Sequence, residues 1–262
     1  MKLALMIEGQ EGVSWPQWRA LAEAAEEAQL DALFRSDHYR AIGSGDPNGA
    51  LDAWGTICGL AAVTSTIRLG TLVSPVTFRH PSVLAKLVTT ADHISNGRIE
   101  VGIGAGWFEA EHGSYGFPFG TQRSRLDELD RQLAEITRQW TEADDVWPKP
   151  VQRPRPPIIV GGRAKPRTVA AAVAYADEYN TVWPSVDEAR ERKQRVDDAA
   201  AAAGREPLRF SAMLNLKGSA DELEEQLRPY ADAGVDRVML QHLEHEDVAF
   251  VATLGDVAAR LR

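Results

Sequence analysis

A single cysteine, Cys58, stands in a chain of 262 residues. No intrachain disulfide and no cysteine metal cluster can form from it. It reads as a small buried hydrophobe rather than a nucleophile, and a reducing, cytoplasmic setting is the expectation. No apolar run approaches the roughly 18 residues that span a bilayer. The N-terminal MKLALMIEG carries one lysine and no cleavage-site pattern, so neither a signal peptide nor a membrane partner is expected. Positive charge is also in deficit, with 29 Lys and Arg against 38 Asp and Glu, a net charge of −9. Nucleic acid rewards a basic face, so it is not an expected partner either. There is no G-x-S-x-G and no Walker loop. His242-x-x-His245 has a spacing that a metal accepts, but no third ligand stands nearby, so no metal site is expected.

What the chain does have is a regular alternation of apolar runs and amphipathic stretches. Strands are expected at Lys2–Glu8, Asp31–Ser36, Ile67–Val73, Arg98–Gly104, Ile158–Val160, Asp177–Val182, Leu208–Leu216 and Arg237–Leu240. Between them lie helical periods. The clearest starts at Ser124, with Leu126, Leu129, Leu133, Ile136 and Trp140 on one face. Ser185 with Glu188, and Ser219 with Glu222, form capping boxes for helices that stop at Gly204 and Gly234. A loop with Gly43, Gly45, Pro47 and Gly49 precedes the helix at about 52–65. The proline-rich Trp147–Pro157 reads as an extended loop within one domain, because the alternation resumes unchanged after it.

Eight strands alternating with eight helices force parallel pairing, since every helix is a crossover. The size is that of a closed (β/α)8 TIM barrel, with an open doubly wound sheet as the competing architecture. A barrel places function at the C-terminal strand ends. There the sequence puts Glu8, Asp37, His38, the 72–80 and 104–109 segments, Gly161, Gly162, Trp183 and His242.

Three of these places carry candidate chemistry. Asp37–His38 pairs an imidazole that titrates near neutrality with a carboxylate able to orient it or hold its charge; the plain alternative is a loop pair that caps a turn. Gly102-x-Gly104-x-Gly106 follows a strand without matching a dinucleotide fingerprint. Its glycines allow a planar or phosphorylated ligand to approach the backbone, or simply serve a turn. Gly161–Gly162 precedes Arg163, Lys165 and Arg167. Glycines leading into a helix N-terminus bind phosphate in many barrels, and a solvated basic turn is the alternative.

Longer stretches make the chain recognisable. TLVSPVTFRHPSVLAK, then IEVGIGAGW, then FEAEHGSYGFPF, with SDHY at 36–39 and PIIVGG at 157–162, resemble the luciferase-like monooxygenase superfamily over nearly the whole chain. Within it they are most similar to the coenzyme F420-dependent oxidoreductases. The resemblance implies a luciferase-like barrel holding F420, or alternatively FMN, at its C-terminal mouth, and an oxidoreductase that passes hydride between F420 and a small-molecule substrate; the alternatives are a monooxygenase using reduced FMN and oxygen, and a flavin-binding barrel without turnover. It also implies a homodimer. Asp37 and His38 match the pair lying against the cofactor ring and the reacting centre. Leu72, Val73 and Ser74 match a bulge that backs the ring, with a non-prolyl cis peptide implied between Leu72 and Val73. Gly104, Ala105, Gly106 and Trp107, together with Gly161 and Gly162, match the cradle for the phosphate side, and Arg163 beside them is a cofactor-binding candidate from its charge. One position departs from the pattern. Trp107 stands where the family's sugar-phosphate dehydrogenases carry a glutamate, which suggests a flatter, more apolar substrate.

Overall fold

The computed structural model describes residues 1–43 and 49–261. In it β1 (Lys2–Ile7) leads to α1 (Trp15–Glu27), β2 (Ala32–Arg35) to α2 (Ala53–Val63), and β3 (Arg68–Pro75) to α3 (Pro81–Ser95). β4 (Ile99–Gly104) is followed by a short α4 (Glu109–Tyr115) and a long α5 (Gln122–Thr141). β5 (Ile158–Gly162), α6 (Pro166–Tyr175), β6 (Glu178–Val182) and α7 (Val186–Ala202) come next. β7 (Arg209–Leu214), α8 (Ala220–Asp232), β8 (Arg237–His242) and α9 (Val248–Arg260) complete the series. Each strand pairs in parallel with the next, and β8 pairs with β1, so the sheet is a closed barrel rather than an open one.

The element missing from the sequence-based series is α4. Seven residues with Gly113 among them are too short to display a helical period. Of the loop expected before α2, Gly45 and Pro47 lie outside the described residues. The proline-rich stretch is irregular, as expected, and contains cis bonds at Trp147–Pro148 and Arg153–Pro154. Asp92 of α3 ties it down: its buried carboxylate accepts from the Val151 and Gln152 amides and from Gln152 Nε2.

Two apolar regions hold the barrel. The larger lies between the sheet and the helices, where the stripe Leu129, Leu133, Ile136 and Trp140 of α5 is buried. Each such side chain contributes about 1.5–3 kcal/mol through burial. The smaller fills the lumen with Ala4, Met6, Ala32, Phe34, Leu72, Ile159, Met213 and Met239. Below it, at the N-terminal strand ends, the lumen is charged. Arg237 is fully buried and reaches Glu178 at 2.5 Å, Glu100 at 2.6 Å and Asp31 at 2.9 Å. Its guanidinium also lies over Phe34, 4.9 Å from the ring centre. Burial alone would push the Glu100 carboxyl up, but Arg237 and Arg68 outweigh it and hold the group at about 2. For Glu178 burial prevails, assisted by the Glu100 charge, and its pKa is raised despite Arg237.

Candidate functional site

At the opposite, C-terminal end the strands β2, β3 and β4 bring most of the sequence-selected residues together. β3 carries an irregularity there: Thr71 pairs with Val101 but Ser74 with Ile103, so three steps on β3 match two on β4. The Leu72–Val73 peptide within it is cis, at the position the resemblance implied. Gly102 and Gly104 sit under this bulge because nothing larger fits. A Cβ on Gly102 would lie 2.3 Å from the Thr71 carbonyl oxygen, and one on Gly104 would lie 2.5 Å from the Val73 side chain.

Asp37 is buried below the mouth. Its carboxylate accepts from Ser74 Oγ at 2.7 Å and from both terminal nitrogens of Arg79, at 2.5 and 3.2 Å. Trp54 Nε1 donates to Ser74 Oγ from behind, and Arg79 also pairs with Asp52 at 2.8 Å. Burial opposes the charge on Arg79, but the Asp37 carboxylate and its hydrogen bonds overcome that and raise its pKa. Asp37 therefore anchors the residue after the cis peptide. It makes no hydrogen bond to the neighbouring imidazole.

The carboxylate that orients His38 is instead Glu111 of α4. His38 Nδ1 lies 2.8 Å from Glu111 Oε1, and the Tyr39 amide donates to Glu111 Oε2 at 3.0 Å. Only 1% of the Glu111 side chain is exposed. Trp107 and Phe108 present their faces or edges to the imidazole in T-shaped contacts, at 5.8 and 6.1 Å. Trp107 itself is 62% exposed, so its ring forms part of the rim of the mouth. Glu111 lies within FEAEHGSYGFPF, where a seven-residue helix interrupted by Gly113 leaves no periodic signal to single it out. Arg79, 42 positions from Asp37, gave no local signal either.

The β5 residues stand one strand further on, with Ile103 paired to Val160. Gly162 has φ of 149°, and Gly161 backs onto the Asn180 carbonyl oxygen, 2.7 Å from where a Cβ would be. Helix α6 begins after them with no side-chain cap at Lys165, unlike α7 and α8, whose capping boxes are filled. Its first amides are thus free of a capping side chain, the arrangement that favours an anion. Arg163 and Lys165 are exposed beside it. Arg167, by contrast, is taken up by Asp127 and Asp130 of α5 and does not belong to this group. Trp183, at the end of β6, is 56% exposed and holds a left-handed φ of 43°. That conformation is uncommon for a bulky residue and marks a constrained rim position.

His242 and His245 lie near the ends of β8 and β1. Among the described residues no group of three His, Cys, Asp or Glu side chains could hold a metal. His242 Nε2 contacts the Asp247 carbonyl oxygen at 3.1 Å, and its ring stacks on Phe250. Burial lowers the pKa of both histidines. The folded chain then binds fewer protons than the unfolded chain below the ordinary histidine value, about 6.5. Their contribution to stability is complete above that pH and is lost as pH falls below it. Thermal melts of wild type and a His242→Gln/His245→Gln variant at pH 7.5 and 5.5 test this: the variant is expected to lose less Tm on acidification.

A cavity of about 820 Å³ opens at the other face, beside Lys2, Lys193 and Arg209. Those cations are paired with Asp31, Asp197 and Glu178, and barrels carry stability rather than chemistry at that end.

The pattern for luciferase-like monooxygenases matches residues 3–259, almost the whole barrel. The chain belongs to the luciferase-like monooxygenase family. An uncharacterized protein of Mycobacterium tuberculosis is 32% identical over 252 residues, covering 91% of this chain and 83% of that protein. A putative coenzyme F420-dependent oxidoreductase of the same organism is 32% identical over 148 residues, 56% of this chain and 38% of the other. Among solved structures, the oxygenating constituent of 3,6-diketocamphane monooxygenase from Pseudomonas putida, in complex with FMN, superposes with a TM-score of 0.81. It is 16% identical, over 100% of this chain and 97% of that one. Members of the family are oxidoreductases and monooxygenases that depend on a flavin or on F420. Among the described residues no helix is long and apolar enough to cross a membrane.

Proposed function

We propose that this luciferase-like enzyme is an F420-dependent oxidoreductase that transfers a hydride between the deazaflavin and a small, largely apolar organic substrate. The observation that carries the reading is the pair of buried Glu111 and half-buried His38, opening onto a mouth walled by Trp107 and backed by the Leu72–Val73 bulge. Two features of the chain fit an elongated, phosphorylated cofactor. The bulge of Leu72, Val73 and Ser74, with Gly104, Ala105 and Gly106 beside it, offers a smooth apolar backing for a flat ring. One strand away Gly161, Gly162, Arg163 and the uncapped start of α6 offer backbone amides and a cation for its anionic arm.

Bound there, a deazaflavin supplies hydride transfer, which its ring carbon performs without activating oxygen. The chain supplies the rest. His38 holds or releases the proton that accompanies the hydride, at the ring nitrogen not occupied by Glu111. Trp107 and Phe108 keep water from the imidazole, and Asp37, gripped by Arg79, fixes Ser74 and with it the backing. Trp107 also replaces a charged side chain at the rim, which favours an apolar or aromatic substrate over a sugar phosphate.

Titration of the protein with F420 and, separately, with FMN, followed by fluorescence, tests the cofactor. Binding of F420 in the micromolar range or tighter, with weaker FMN binding, is expected; tight FMN binding without F420 binding would reject the proposal. The second reading, a monooxygenase using reduced FMN and oxygen, is favoured by the likeness to the diketocamphane enzyme and is the outcome that this result would select.

A further inference from the structure

We infer that Glu111 is a positioning residue that sets which nitrogen of His38 exchanges the proton, keeping hydrogen on Nδ1 and leaving Nε2 as the working atom. The inference rests on the assignment of proton handling to His38. Nδ1 lies 2.8 Å from Glu111 Oε1, while Nε2 makes no hydrogen bond among the described residues. An ionised carboxylate carries no hydrogen and only accepts, whereas an imidazole nitrogen can donate. Nδ1 is therefore the donor and the carboxylate the acceptor. The other carboxylate oxygen is engaged by the Tyr39 amide at 3.0 Å, so Glu111 cannot rotate without losing a second bond.

The neighbouring residue on α4 makes this arrangement rigid. His112 is buried, with Nδ1 2.8 Å from the Phe108 carbonyl oxygen and Nε2 2.6 Å from Thr77 Oγ1. Phe78 and Phe119 pack against its ring, at 5.2 and 4.6 Å. It clamps α4 to the loop after β3, so Glu111 is presented to His38 by a helix fixed at its next residue. Trp107 and Phe108 hold the plane of the His38 ring from the other side. Nε2 is the polar atom left to meet a ligand. A free imidazole carries its hydrogen on either nitrogen, and the partner of one nitrogen decides the other's role.

Nitrogen-15 NMR of the histidine rings in the full chain reads this directly, with His38→Gln assigning the signal. In wild type, the neutral His38 ring is expected to carry its hydrogen on Nδ1, with Nε2 bare. In Glu111→Ala the neutral ring is expected to shift its hydrogen to Nε2, and turnover to fall by a factor on the order of 10–100 with cofactor Kd unchanged. Glu111→Gln preserves the shape of the side chain and keeps one acceptor oxygen, so partial retention of the wild-type tautomer is expected. A wild-type His38 that carries its hydrogen on Nε2 overturns the inference without reference to any variant. If instead the tautomer is as stated but His38→Ala retains full turnover, it is the assignment of proton handling to His38 that fails.

Discussion

Replacing Arg237 with methionine is expected to destabilise the fold by about 3–5 kcal/mol, the cost of leaving buried carboxylates without their cation. The three acidic groups around it are not equally exposed to this loss. Asp31 keeps Lys2 at 2.5 Å and Glu100 keeps Arg68 at 2.5 Å, whereas the cation left to Glu178 is Arg209 at 3.4 Å, with the Ser211 hydroxyl beside it. Glu178 is already raised by burial with Arg237 present. Without that guanidinium it folds preferentially protonated. A carboxyl group raised on folding contributes stability below its unfolded value, about 4.3, and loses it as pH rises through the folded value. Urea melts at several pH values check this: Arg237→Met should gain stability on mild acidification relative to wild type, and adding Glu178→Gln should restore part of the loss at pH 7. Equal stability of Arg237→Met and wild type at neutral pH would show that the charged layer is not needed as a unit.

His38→Ala is expected to lower turnover by about 10²–10⁴-fold, the range for removing a positioned proton-transfer group. Cofactor affinity should be nearly unchanged, because the backing bulge and the α6 end do not depend on the imidazole. Steady-state kinetics beside a cofactor titration separate the two quantities. Loss of kcat and kcat/KM in equal proportion would place the interaction in the transition state, whereas a loss confined to KM would make His38 a binding residue. His38→Gln, which can still donate to Glu111, guards against a variant that merely leaves that carboxylate buried and unpaired.

The barrel was legible because its signal is repeated: eight apolar runs, each bounded by a helical period, leave one parallel closure that fits the length. The strand ends followed from it, and with them Asp37, His38, Trp107 and the glycines. Their partners were not legible. Arg79 and Asp37 are separated by 42 positions, His38 and Glu111 by 73, and Arg237 and Glu100 by 137. Charges at the first positions of strands look like ordinary boundaries in a sequence, although Glu178 and Arg237 point into the lumen. Adjacency also misled. Asp37 is next to His38 in the chain, yet its carboxylate is taken up by Ser74 and Arg79, and the carboxylate that meets the imidazole comes from another element. In the same way Arg167 shares a turn with Arg163 but faces α5 from its helix.

The sealed foot of the barrel governs traffic as well as stability. Arg237 and its carboxylates close the lumen below, and the layer containing Met6, Phe34 and Met239 closes it above them. The lumen is thus packed shut along its axis, and a ligand can reach His38 from the C-terminal mouth but not from below. On the proposed function, a cofactor and a substrate that meet at His38 would therefore both approach from the C-terminal face, past the exposed Trp107.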